Sequence, residues 1–240
     1  MKDKRLFRLY CFSPAVMLAT FTVEFILAAV VASRYAFDTV GKITTAVLIL
    51  LGTFQLAEYS ICVTNGQLGW ALIGYTAITM LPPLGVHLAA HISGRGHRIA
   101  QFSYALSIAW VGLFWMKHSV ITHVACTGNY AILTLQEGYG LAYGYYYFGL
   151  LFLGLGLCAY GLRSRLNIAR SRALLWLAAS YALIIVPTYL VNVAWSQTLR
   201  GVPSVMCGFA VMFALILSLK IMPLVGTRRP PAGEPSRVAG

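Results

Sequence analysis

Seven stretches of the chain run for about twenty residues with almost no charge, at roughly 12–33, 43–63, 69–91, 99–119, 140–162, 172–195 and 202–223. A helix of about 20 predominantly apolar residues is what crosses the hydrocarbon core of a bilayer. The backbone cannot bond to lipid, so it must satisfy its own N–H and C=O groups there. The expected fold class is an all-α membrane protein, a seven-transmembrane-helix bundle. It is expected to occupy 1–224 as one domain, with 225–240 a disordered cytoplasmic tail, since TRRPPAGEPSRVAG is polar and proline-rich. Composition agrees: 59% of residues are hydrophobic and 10% charged, against about 25% charged in soluble domains. The connections are short, no internal repeat is visible, and the expected location is the inner (plasma) membrane.

A net charge of +12 raises the question of nucleic acid. No basic stripe is interleaved with aromatics on a soluble surface, so nucleic acid is not an expected partner. The lysines and arginines lie instead between the apolar runs or at the chain ends, where they orient a bundle. With seven spans, twelve of the 18 basic residues fall on one side and six on the other. Cytoplasmic loops carry the excess, which places the N-terminus outside and the C-terminus inside. The cationic leader MKDKRLFR pulls the other way. The arginine-rich loop Arg163–Arg172 is the expected place for a cytoplasmic signalling partner.

Two acids lie inside the spans, Glu24 in the first and Glu58 in the second. A charge at mid-bilayer costs at least about 2.5 kcal/mol, so such groups face the bundle interior, pair, or mark a function. Gln55, Glu58 and Cys62 stand at i, i+3 and i+7 and share one helix face. Their reading is a polar stripe pointing inward, either as a structural hydrogen bond or as contact with a ligand, proton or metal. In the third span MLPPLGVHLAAH carries Pro82 and Pro83, which remove two amide donors and should kink or unwind the helix. His87 and His91 follow at i, i+4, a spacing that can hold one metal, though no third ligand is near in sequence. Pro187 with Asn192 above it suggests a second break in the sixth span.

Cys62, Cys126 and Cys207 all map to the outer side, where disulfides persist. A bridge from Cys126 to Cys62 or to Cys207 would tie the long fourth loop, HSVITHVACTGNYAILTLQEGYG, over the bundle as a lid. Cys62 with Cys126 is the pairing carried forward. Together with His118, His123 and Glu58, the same cysteines could instead hold zinc or copper. Gly140 and Gly144 form a GxxxG, read first as close helix packing and second as a dimer face.

The stretches FSPAVMLATF, FQLAEYSIC, IGYTAITMLPPLGVHL, HVACTGNY and PSVMCGFAVMFALILSLKIMPL together resemble a group of uncharacterised bacterial seven-helix integral membrane proteins, over about 12–224. That group has no established activity and lends no catalytic residues. The plan is also similar to the seven-helix sensor region that precedes some histidine kinases, here followed by a short tail instead of a kinase. The HxxxH and intramembrane acid look superficially similar to the seven-helix hydrolases that include alkaline ceramidases and adiponectin receptors. Those carry zinc-binding histidines in the last span, which here has none.

The function expected from these observations is a non-enzymatic receptor or sensor-like bundle. It would bind a small molecule or lipid in an outward-facing cavity lined by Glu24, Gln55, Glu58, Tyr75 and Asn192. The alternatives are a proton-coupled transporter and a membrane metal-dependent lipid hydrolase using His87 and His91. No cofactor is specified by the sequence.

Overall fold

The computed structural model describes residues 14–126, 131–194 and 202–229. Four helices alternate in direction from the start: α1 (Pro14–Arg34), α2 (Thr39–Val63), α3 (Leu68–Ser93) and α4 (His97–Met116). A 3-10 turn (His118–Val120) leads into an antiparallel hairpin of β1 (Ile121–Cys126) and β2 (Ala131–Leu135). Then follow α5 (Glu137–Leu162), α6 (Ile168–Ala194) and α7 (Val202–Ile216), a π-helical turn (Leu217–Ile221) and a last turn, α8 (Met222–Val225).

Local chemistry explains most boundaries. Asp38 caps α2 by accepting from the Gly41 N–H at 2.7 Å, and Asn167 does the same for the Arg170 N–H near the start of α6 at 2.8 Å. Gly94 ends α3 at φ +72° and Gly96 precedes α4 at φ +86°, backbone that glycine adopts without steric cost. The third helix does not unwind at its prolines as expected. α3 runs unbroken through Pro82 and Pro83, for a reason that lies in the tyrosines of α5.

Among the described residues six helices are long and apolar enough to cross a membrane, and Phe209–Val225 forms a shorter apolar helical segment. Large apolar side chains such as Phe102, Ile108, Phe152, Leu175, Leu190 and Leu219 are exposed on the outer faces. In water these would be a liability; in a bilayer they are the lipid contact. The chain is therefore a multi-pass membrane bundle. α3 is its central helix, packed on α2, α4, α5 and α6, whereas α1 packs on α2 and α7 at the periphery.

The two ends of the bundle differ. One holds the α1–α2, α3–α4 and α5–α6 connections and the stretch after α8. Eleven of the twelve described lysines and arginines lie toward this basic end, and the twelfth, Lys117, lies at the other. That second end carries the hairpin, which touches α2, α5 and α7.

The stretch expected to begin a disordered tail is partly fixed. The Ala36 N–H donates to the Thr227 carbonyl at 2.7 Å, and the Arg229 N–H to the Arg34 carbonyl at 3.1 Å. Both the Thr227 hydroxyl (2.8 Å) and its N–H (3.2 Å) donate to Asp38 Oδ2. Residues 230–240 of that tail lie outside the described residues.

Candidate functional site

Pro83 has no N–H to offer the carbonyl four residues back, that of Thr79. Tyr146 of α5 fills the gap: its hydroxyl donates to the Thr79 carbonyl at 2.5 Å. A hydroxyl has one hydrogen, so Tyr146 is the acceptor in its 2.7 Å contact with Ser107 of α4. Ser107 then shares its own hydrogen between Tyr146 and the Ser103 carbonyl, 2.7 Å away. Tyr143, one turn earlier, meets the Thr79 side chain at 2.9 Å. The rings of Tyr75, Trp110, Phe114, Tyr143 and Tyr146 pack on one another at centroid distances of 4.9–6.0 Å. The proline break is thus absorbed by a polar and aromatic joint between α3, α4 and α5, and the helix stays continuous.

On the other side of Pro82 lies a narrow cleft, partly open to the surroundings. Its walls come from α2, α3, α5, α6 and α7, with Leu51, Pro82, Gly85, Tyr147, Tyr181 and Phe213 among them. These residues sit near mid-length of their helices, so the cleft is at mid-depth. Of its eleven described lining residues only Tyr147 and Tyr181 carry a side-chain hydrogen-bonding group. Tyr181 is buried, and its hydroxyl is wedged where a side chain at Gly85 or Gly154 would collide with it. In α5 it is Gly154 and Gly161 that permit close approach, to α6 and, for Gly161, also to Ser93 of α3. A Cβ at Gly144 would meet nothing within 4 Å, so the GxxxG pair does not serve the packing first expected of it.

Four of the five residues expected to line a cavity are buried away from this cleft. Glu24, Gln55 and Glu58 are buried at 0%, 4% and 1% exposure. Glu24 and Glu58 are near enough across α1 and α2 for their charges to interact, and Gln55 and Glu58 each engage neighbours. Tyr75, also buried, donates to the Leu133 carbonyl of the hairpin at 3.1 Å. None of these four lines the cleft. Asn192 belongs to α6, and its side chain lies outside the described residues, as does that of Cys207.

His87 and His91 point to different partners. His87 Nδ1 contacts the Tyr104 hydroxyl at 3.2 Å, while the His91 ring faces the His97 ring at 6.3 Å. Among the described residues no three His, Cys, Asp or Glu side chains are grouped to hold a metal ion. At the hairpin end Cys62 and Cys126 form a disulfide, with Cα atoms 5.0 Å apart. That bond removes the two sulfur ligands from the zinc or copper site considered for Cys62, Cys126, His118, His123 and Glu58. Gly66, at φ +86°, turns the chain beside it, and a Cβ there would stand 2.5 Å from the Val124 carbonyl oxygen.

The cleft walls were hidden from sequence reasoning because they are ordinary apolar residues; Gly85, two residues after the Pro-Pro pair, was the nearest signal. The hairpin was also missed. ITHVAC and AILTL are short β-branched runs either side of TGNY, a strand–turn–strand pattern read as plain loop. Neither a protein-family model, nor a curated protein, nor a solved structure matches the chain.

Proposed function

We propose that the chain is a seven-span, receptor-like membrane bundle that binds a small apolar molecule or a lipid chain in the cleft beside Pro82. The cleft carries the reading. It is partly open to the surroundings, and two tyrosine hydroxyls in otherwise apolar walls suit a ligand with little polarity. Five helices meet there, so occupancy would alter how α6 and α7 sit against α2 and α3. A signalling partner would read that change at the basic end, where Arg163, Arg165, Arg170 and Arg172 flank the α5–α6 connection.

The seventh crossing would be the helical stretch from Val202 through Val225, with its π turn. Two independent features support an orientation with the hairpin end outside the cytoplasm. Basic residues crowd the opposite end, and a disulfide persists in an oxidising compartment. Fusions of alkaline phosphatase and of a fluorescent protein to the C-terminus test this: the fluorescent fusion should be the active one.

Native mass spectrometry of the purified protein tests the ligand. A bound lipid or small apolar molecule is expected, and Ala210→Phe, which fills the cleft from α7, should release it while the protein stays folded. A protein that carries nothing and binds no added lipid would defeat the receptor reading.

A further inference from the structure

We propose that Glu24 holds an exchangeable proton within the bundle, and that this proton keeps α1 seated on α2. Glu24 stands ten residues from either end of α1. It is 0% exposed, and neither carboxyl oxygen has a hydrogen-bond partner among the described residues. The rings of Phe21 and Phe25 close over Gly52 of α2 beside it, so the surroundings are apolar. An ionised carboxylate needs donors or a counter-charge to be tolerated away from water.

The described groups that face Glu24 supply neither. From α2 the interacting titratable group is Glu58, of the same sign. Lys42 is at the far, basic end of α2. From α7, the other helix packed on α1, the stretch Val202–Ile216 contains no Asp, Glu, Lys, Arg or His. Two carboxyls so placed disfavour double ionisation. A proton is the ligand that fits, because it needs no coordination shell around oxygens already enclosed by protein. The step is simple exchange: the O–H bond of the acid breaks, the proton passes to water, and the carboxylate remains.

The consequence falls on α1. Its other face is exposed, with Leu18, Val23, Ile26 and Val30 turned outward. Its attachment therefore rests on one buried stripe containing Met17, Glu24, Ala28 and Val31. A charge appearing in the middle of that stripe would loosen the helix.

Infrared difference spectra of the full chain, titrated from neutral to alkaline pH, test the site. The carbonyl band of an un-ionised carboxylic acid is expected at neutral pH, absent in Glu24→Gln. Glu24→Asp, which should shift that band instead of removing it, carries the assignment if the glutamine variant does not fold. Hydrogen exchange supplies the second readout: amides of α1 should lose protection at alkaline pH in the wild type and keep it in Glu24→Gln, whose amide stays neutral. The absence of an acid band belonging to Glu24 at neutral pH would overturn the proposal, as would equal alkaline loss of α1 protection in both proteins.

Discussion

The two ends of the bundle are closed by different physics. At the hairpin end the Cys62–Cys126 disulfide ties the strands to the top of α2, and Gly66 lets the backbone pass under Val124. The Tyr75 hydroxyl adds a bond to Leu133. All of these are covalent, steric or neutral. At the basic end the closure is a backbone bridge from Tyr35 to Arg228, with Asp38 holding Thr227 through a carboxylate. Around it arginine and lysine side chains lie on aromatic faces, Arg95 over Tyr160 at 5.2 Å and Arg229 over Phe37 at 5.5 Å. Lys117 over Tyr139 is a single contact of that kind at the hairpin end, so that end should respond chiefly to reductant and the basic end chiefly to salt and acid.

The sharpest way to break the comparison is to cut the covalent tie. Replacing Cys62 and Cys126 with serine should lower stability in detergent by about 2–4 kcal/mol, the range for a structural disulfide. Mild reductant should produce the same loss in the wild type and none in the double variant. Next in size is Gly66→Val. A β-branched residue at φ +86° is strained, and its Cβ meets the Val124 carbonyl, so a loss of about 1–3 kcal/mol is expected. Thermal unfolding measures both. If either proves milder than substitutions at Asp38, the hairpin end is not the stronger closure.

How legible these closures were depends on range. The apolar runs announced the helices, because the period and length of a membrane span are local properties of Val, Leu, Ile and Phe. The disulfide was legible as one of two pairings, since Cys62 and Cys126 must share a side once the spans are set. The intramembrane acids were legible as buried, but not their partners: which face of α1 meets α2 depends on packing at Gly52. The cleft was not legible at all, being a gap left where Pro82, Tyr181 and Phe213 fail to fill space. Thr227 holding Asp38 joins residues 189 positions apart, beyond any local pattern.

Between the two ends, the proline joint supplies a neutral control buried at membrane depth. Tyr146→Phe leaves the Thr79 carbonyl without its donor, at a cost of about 1 kcal/mol. Pro83→Ala restores an N–H to that carbonyl, so the tyrosine substitution should cost less in that background. A double-mutant cycle reads the difference. Costs that simply add would mean that Tyr146 is not compensating for the proline.

The smallest effect tests the basic end. Partial burial pushes the Asp38 carboxyl up, but the Gly41 N–H, the Thr227 hydroxyl and the Thr227 N–H, with the charge of His91, outweigh it. They hold the carboxyl below the usual carboxylate range. A lowered value in the folded state means that its contribution is fully present above the unfolded aspartate value of about 3.9 and is lost as pH falls through the folded one. Asp38→Asn should therefore cost only a few tenths of a kcal/mol near neutrality. Its stability should fall less than that of the wild type as pH drops below the ordinary aspartate range. Hydrogen exchange at Ala36 and Arg229, whose N–H groups bridge the α1–α2 connection to the segment after α8, gives the local readout. Acid should free these amides in the wild type before it frees those of the hairpin, because the Cys62–Cys126 disulfide that ties the strands to α2 does not titrate. Simultaneous release at both ends would show that the latch and the hairpin are one cooperative unit, and the contrast between them would collapse.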